Sequence, residues 1–292
     1  MYDNVLIPTD GSDGATVAFD HVLEIADTHD ATVHILNVAD TTRDSVIQIQ
    51  GNVVDALETA GEEIVRDAAT RAQQRGISTK TDVLQGEPYS TIIDYAESRD
   101  IDLIVMPTHG RRGLERFLLG STTERVVRRA EVPVLTIRLG DDVRVTYPYQ
   151  TVLLPTDGSD CARGALETGA NVAKADGATL QLLSVVDVTS FGADVHIQMQ
   201  VESFEERAND IIKEATEIAE DTGVESVAGS VELGTSIHRT ILSYIEDTDA
   251  DLVVVGTHGR TGFERYMLGS VTEKLVRTSP VPVLTVRTPK PK

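Results

Sequence analysis

The sequence predicts two tandem α/β domains, each built on a doubly wound, parallel, five-stranded sheet. Three observations predict it. The first is a duplication. VLIPTDGSD at Val5–Asp13 recurs as VLLPTDGSD at Val152–Asp160, and PVLTIR at Pro133–Arg138 recurs as PVLTVR at Pro282–Arg287. The offset is 147 residues at the front and 149 at the back, which marks a repeated domain and not a short-period solenoid. The second is that short apolar runs alternate with stretches of helical period, the order of a parallel sheet with right-handed crossovers. The third is that runs such as LIVM and LVVV are apolar throughout, as suits strands covered on both faces.

Taken in order, Asn4–Pro8 reads as a first strand. Ser12 or Asp13 is placed to cap a helix running to about His29. Thr32–Val38 is a second strand. Val53–Arg75 is a long helix, with Val53, Leu57, Ala60, Ile64, Ala68 and Ala72 at steps of three or four and Gly76 as its stop. Thr79–Leu84 is a third strand, Tyr89–Ser98 a helix, Leu103–Met106 a fourth strand, Ser121–Arg129 a helix and Val132–Ile137 a fifth strand. The second half repeats the order, with strands near Thr151–Pro155, Thr179–Val185, Ser226–Val231, Leu252–Val255 and Val283–Val286. The join, LGDDVRVTYPY at Leu139–Tyr149, lacks helical period. The expected domains are therefore 1–140 and 150–292, with a linker at 141–149. Thr41–Asn52 and Val188–Gln200 follow the second strand of each half. They read as a lid or as extensions of the long helix, the latter favoured for the later part of each.

In doubly wound sheets, ligands bind beyond the carboxyl ends of the strands, where the winding reverses. The polar, glycine-bearing loops in each half follow strand 1 (TDGS) and strand 4 (THGR to GS). If both border that crevice, strands 1 and 4 are neighbours and the order is 3-2-1-4-5.

Composition narrows the function classes. The net charge of −21, from 47 acidic and 26 basic residues, disfavours nucleic acid and anionic membrane surfaces as partners. No apolar run approaches the ~20 residues of a membrane helix. Cys161 is the one cysteine, so no intrachain disulfide or Cys-based zinc site is expected. The start, MYDNVLIPTDGSDG, has neither a basic nor an apolar leader region, and a cytoplasmic location is the expectation. The acid-rich, lysine-poor composition resembles that of halophilic proteins; an ordinary acidic cytosolic protein is the alternative.

The strand-4 loop of the second half offers Gly256, Gly259, Gly262 and Gly269, with Gly269-Ser270 opening a helix. A helix start presents free N–H groups and the positive end of a dipole, which suits phosphate. Arg260 can pair with phosphate oxygens. The Ser270 hydroxyl can bond a phosphate or cap the helix. The loop lacks the lysine of a Walker A motif. Read alone, it is equally a turn linking strand to helix. Its length and polarity, and the TDGS turn it faces, favour a ligand.

Gly256, Gly259, Gly269 and Ser270 make the pattern G-x2-G-x9-G-[ST]. Together with VLLPTDGSD, ADLVVVGTHGR and SPVPVLTVR, it resembles the nucleotide-binding signature of the universal stress protein family, over nearly all of both halves. The resemblance implies an adenine nucleotide alpha hydrolase-like fold that binds ATP. It implies a ribose contact from Asp157, with Pro155 and Thr156 beside it in the cofactor site, and from Asp10 in the first half, with Pro8 and Thr9 beside it. It implies an adenine pocket at Val185 and Val255, matched by Val38 and Met106. It implies phosphate contacts from Gly256, His258, Gly259, Arg260, Gly269, Ser270 and Val271, matched by Gly110, Arg111, Gly120, Ser121 and Thr122, with His109 at the place of His258. The bland alternatives are an Asx turn for the aspartates, core packing for the apolar residues and backbone-bonded turns for the histidines. No metal-site spacing is present, so any Mg²⁺ would arrive with the nucleotide.

The first half departs from the pattern at Pro107, which stands where the second half has Gly256. Proline has no N–H and fixes φ near −65°. A donor amide, or a positive φ, at Gly256 would be lost there. Three classes of function follow: a nucleotide-binding sensor or regulator of the stress response, a slow ATPase or self-phosphorylating protein using Ser121, Thr122 or Ser270, and a scaffold without ligand. The enzyme class lacks a marked base, since Asp157 and Glu264 are merely the nearest acids. The apolar last strands, VPVLTI and VPVLTV, would be exposed edges unless paired, and in the family that strand joins two domains. The expectation is an intrachain pseudo-dimer, with a further homodimer left open.

Overall fold

The computed structural model describes residues 1–41, 52–110, 119–190, 197–259 and 268–287. The chain divides into two compact units, Met1–Asp141 and Asp142–Lys292.

In unit 1 the order is β1 (Asn4–Pro8), α1 (Asp13–His29), β2 (Thr32–Asp40), α2 (Asn52–Gln74), β3 (Thr79–Gly86), α3 (Pro88–Ser98), β4 (Leu103–Pro107), α4 (Ser121–Arg129) and β5 (Val134–Ile137). The strands are parallel and lie in the order β3-β2-β1-β4-β5. Unit 2 repeats this with β6 (Thr151–Pro155), α5 (Asp160–Asp176), β7 (Thr179–Asp187), a 3₁₀ turn (Val188–Ser190), α6 (Ile197–Thr222), β8 (Ser226–Gly234), α7 (Ile237–Asp247), β9 (Leu252–Gly256), α8 (Ser270–Thr278) and β10 (Val283–Val286). Its order is β8-β7-β6-β9-β10, again parallel. Both sheets have the expected 3-2-1-4-5 winding.

The reasons are local. Ser12 and Ser159 accept from the amides of Ala15 and Ala162, capping α1 and α5. The central strands are buried on both faces: Val5, Leu6 and Ile7, and Val152, Leu153 and Leu154, are each 0 % exposed. The edge strands β3 and β8 are instead partly exposed, with Leu84 and Leu233 open to solvent.

Several boundaries differ from the sequence expectation. β2, β3, β7 and β8 run two or three residues further, because the backbone ladder continues through pairs such as Asp40↔Gly86 and Asp187↔Gly234. β5 begins at Val134, since Pro133 has no N–H to give. The helical extension holds for Ile197–Gln200 and for Asn52, the described residues at the end of each stretch. Residues 42–51 and 191–196 lie outside the described residues.

Candidate functional site

Both units bring the two polar loops together at the carboxyl end of the sheet. After β6, Gly158 adopts φ 73°, a left-handed conformation that glycine takes without strain. Gly11 does the same after β1, at φ 72°. The turn is closed by Asp157, whose Oδ1 accepts from the Ser159 amide at 3.0 Å, as Asp10 accepts from Ser12. Thr156 Oγ1 accepts from the Gly158 amide, and Thr9 Oγ1 from Gly11. The Asx-turn role of these aspartates is thus real, and it uses one oxygen. The other points at the opposite loop: a Cβ on Gly259 would stand 3.0 Å from Asp157 Oδ2, and one on Gly110 2.6 Å from Asp10 Oδ2. Glycine at 110 and 259 is what lets the aspartate come so near.

The strand-4 loops are tied down at both ends. The Gly269 amide donates to Thr257 O at 2.8 Å, and Gly120 to Thr108 O at 2.8 Å. Thr272 Oγ1 donates to Gly256 O at 2.8 Å, and Thr123 Oγ1 to Pro107 O at 2.9 Å. These bonds hold the first turn of α8, or α4, against the last residue of β9, or β4. His258 Nδ1 and His109 Nδ1 lie 2.9 Å from the hydroxyl of the preceding threonine, a side-chain contact where the turn reading expected a backbone one.

Gly269 and Gly120 are the N-caps of α8 and α4, and neither helix start has a side-chain cap. Ser270 and Ser121 are the first helical residues, exposed, and do not cap; that alternative for Ser270 is set aside. α1 and α5 are capped by serine, while α3 and α7, away from the crevice motifs, also start without a side-chain cap. An uncapped helix start keeps amides directed outward for an external acceptor.

Gly256 ends β9. Val253 and Thr257 donate to Pro282 O and Val286 O, on the β10 side. Alternation along a parallel strand aims the Gly256 amide the other way, beyond the last β6 pair, Leu153↔Val253. Its φ is not positive, so the left-handed alternative for this glycine is overturned. The reason for glycine is contact: an added Cβ would lie 2.9 Å from both Cys161 O and Cys161 Sγ. The corresponding residue of unit 1 is Gly14, where an added Cβ would lie 3.1 Å from Pro107 Cβ. Motif reading missed Cys161 and Gly14. The signal was there, two residues after an otherwise repeated PTDGS.

The remaining candidates fall as follows. Val185 and Val38 are half-buried near the ends of β7 and β2, while Val255 and Met106 are core residues, each 5 % exposed. Pro8 is buried and Pro155 half-buried at the strand ends leading into the aspartate turns. Val271 and Thr122 are half-buried in the first turns of α8 and α4. At the end of β7, the Thr189 hydroxyl and amide bond Asp187 Oδ1 and hold its carboxyl below the usual range. Arg260, Arg111 and Glu264 lie outside the described residues. Among the described residues, no group of His, Cys, Asp and Glu is placed to hold a metal, and no helix is long and apolar enough to cross a membrane.

Comparison with known proteins agrees with the duplication. The family model described as the universal stress protein family matches residues 1–138 and again 148–287. A universal stress protein of Methanocaldococcus jannaschii is 37% identical over 141 residues, 47% of this chain and 83% of that protein. One from Mycolicibacterium smegmatis is 28% identical over 97% of this chain and 96% of its own length. The crystal structure of a universal stress protein from Archaeoglobus fulgidus superposes with a TM-score of 0.73 at 26% identity, covering 97% of this chain and 98% of that one.

Proposed function

The chain belongs to the universal stress protein family, and from that premise we propose that it binds adenine nucleotide, ATP by preference, as a regulator of the stress response and not as a dedicated enzyme. One observation carries the reading. The Asp157 carboxylate, held by its own turn, faces Gly259 in a crevice whose far wall ends in the uncapped start of α8. A carboxylate suits the hydroxyls of a ribose, and outward amides at a helix start suit phosphate. Gly256 adds a further amide on the crevice side. Val185, half-buried on the neighbouring strand, supplies apolar surface for a base. Any Mg²⁺ would come with the nucleotide and be held mainly by its phosphates.

Unit 1 keeps Asp10, Gly110, Gly120 and Ser121 in the same arrangement but has Pro107 at the strand end. We therefore assign unit 2 the tighter site. The acid-rich composition fits a protein that works inside the cell at high salt, a reading that a melting curve in low salt against molar KCl tests directly.

The deciding experiment has two parts. Denature the purified protein and look for released nucleotide, then titrate the folded protein with ATP and follow phosphate. Binding without phosphate release is the expected result. Rapid release would make the protein an ATPase, and absence of binding at any ATP concentration would leave a scaffold.

A further inference from the structure

We infer that Asn37 is a positioning residue of the unit 1 crevice, anchoring the turn that carries Asp10, and that position 61 is glycine because Asn37 fills the space a side chain would need. For its ligand the inference rests on the nucleotide reading above.

Asn37 lies near the end of β2 and is 7 % exposed. Its Nδ2 donates to Thr9 O at 2.7 Å. A carbonyl only accepts, so this bond decides which end of the side-chain amide points where. Thr9 is thereby held through three groups. Its amide donates to Leu36 O, its carbonyl accepts from Asn37, and its hydroxyl accepts from the Gly11 amide. Asp10 is the next residue, and its Oδ1 accepts from Ser12. The carboxylate that faces Gly110 is thus carried by a turn tied to the neighbouring strand through a side chain.

Unit 2 lacks this tie. The registers Asn37↔Val83 and Ser184↔Val231 put Ser184 at the place of Asn37. Thr156 keeps the bonds of its amide to Leu183 O and of its hydroxyl from Gly158. Among the described residues, no side chain donates to its carbonyl.

The long helix differs to match. A Cβ on Gly61 would lie 2.5 Å from Asn37 Oδ1, 3.1 Å from Asn37 Cγ and 3.0 Å from Val83 Cγ1. Ala72 and Ala219, each 0 % exposed, set the same register in α2 and α6, and this puts Ala208 at the place of Gly61. Ala208 is buried too, at 4 %. The strand valine is common to both units, and alanine is accommodated beside it where the residue before is Ser184. The asparagine side chain is what closes position 61. Its Oδ1 could swing clear only by turning the planar amide, which would take Nδ2 off Thr9 O. Glycine inside a helix weakens it relative to alanine, and α2 has that weakness where the anchor is present.

Amide exchange in the full chain tests the anchor. TDGSD is the same in both units, so untied turns would exchange alike. The Gly11 and Ser12 amides should exchange about fivefold more slowly than those of Gly158 and Ser159, the factor for one net hydrogen bond. Gly61→Ala should lower the melting temperature by about 2 °C or more in the parent and raise it in Asn37→Ser. Asn37→Ser with Gly61→Ala copies unit 2 and separates stability from positioning. It should melt near the parent while Gly11 and Ser12 exchange at the unit 2 rate. In a chain also carrying Asp157→Ala, which weakens the unit 2 site, this pair of changes should reduce ATP affinity at unit 1 about fivefold.

Unchanged exchange of Gly11 and Ser12 in the double variant would overturn the anchor. An alanine effect at 61 that is the same with and without Asn37→Ser would detach Gly61 from Asn37. Faster exchange with equal ATP affinity would remove Asn37 from nucleotide binding. A parent chain that binds no ATP overturns the nucleotide reading, and the exchange comparison still decides the anchor by itself.

Discussion

Asp157 Oδ2 stands 3.0 Å from the point where a Cβ on Gly259 would lie, so the strand-1 loop and the strand-4 loop of unit 2 are fitted to each other through a glycine. Gly259→Ala should push the carboxylate aside, break its bond to the Ser159 amide and weaken ATP binding about tenfold. Isothermal titration of the variant measures this. Gly110→Ala, where the approach is 2.6 Å, should in addition lower the melting temperature.

A second prediction concerns the threonine that ties helix to strand. Thr272→Val removes the hydroxyl that donates to Gly256 O and leaves a carbonyl without that partner. The expected cost is about 1–2 kcal/mol in chemical denaturation. Ser270→Ala, at an exposed hydroxyl that caps nothing, should leave stability unchanged; any loss of ATP affinity would then belong to the nucleotide alone.

A third prediction uses acid. His34 is fully buried in unit 1, with Tyr95 Oη 3.0 Å from Nδ1 and Asn4 Oδ1 3.1 Å from Nε2. Burial first, then the charges of Lys80 and Arg99, lower its pKa from 6.5 to about 4, against an opposing pull from Asp82. The unfolded chain takes up a proton below 6.5 while the folded chain refuses it down to about 4. The stability that this neutral histidine contributes is complete above 6.5 and is lost as the pH falls towards 4. Unit 2 has Gln181 at the matching position, within reach of the hydroxyl of Tyr244. His34→Gln should therefore fold at neutral pH and lose less stability on acidification. His21, also buried and lowered to about 4, keeps some slope in the variant. Melting curves across that pH range decide it, and an unchanged slope would remove His34 from the acid response.

A fourth prediction separates the capped helices from the uncapped ones. Ser159→Ala should destabilise unit 2 by about 1 kcal/mol through loss of the bond to Ala162 N. Gly269→Ser, which offers a cap to α8, should add little stability and weaken ATP binding, since the new side chain would occupy the outward amides. Thermal melts with and without ATP measure both.

Most of the fold was legible because its signals are local and repeated. The cap at Ser12, the Gly76 stop and the doubly buried runs of β4 and β9 each announce themselves within a few residues. The edge strands were read short, because β3 and β8 are held by backbone pairing with an inner neighbour and their own side chains carry little pattern. The crevice was legible as two motifs, and the winding order was drawn from the premise that they meet, as they do at Asp157 and Gly259. The reason for glycine at 256 was not. It resides in Cys161, almost a hundred residues away in the chain, and backbone conformation had no part in it.

The close approach at this strand end also limits what a point mutation can do there. Two of the three atoms in the way of a Cβ at 256 are the backbone O and C of Cys161, which any residue at 161 would keep. Drift at the helix position therefore leaves the strand position closed, and the glycine is inherited with the course of the helix and not with the cysteine side chain.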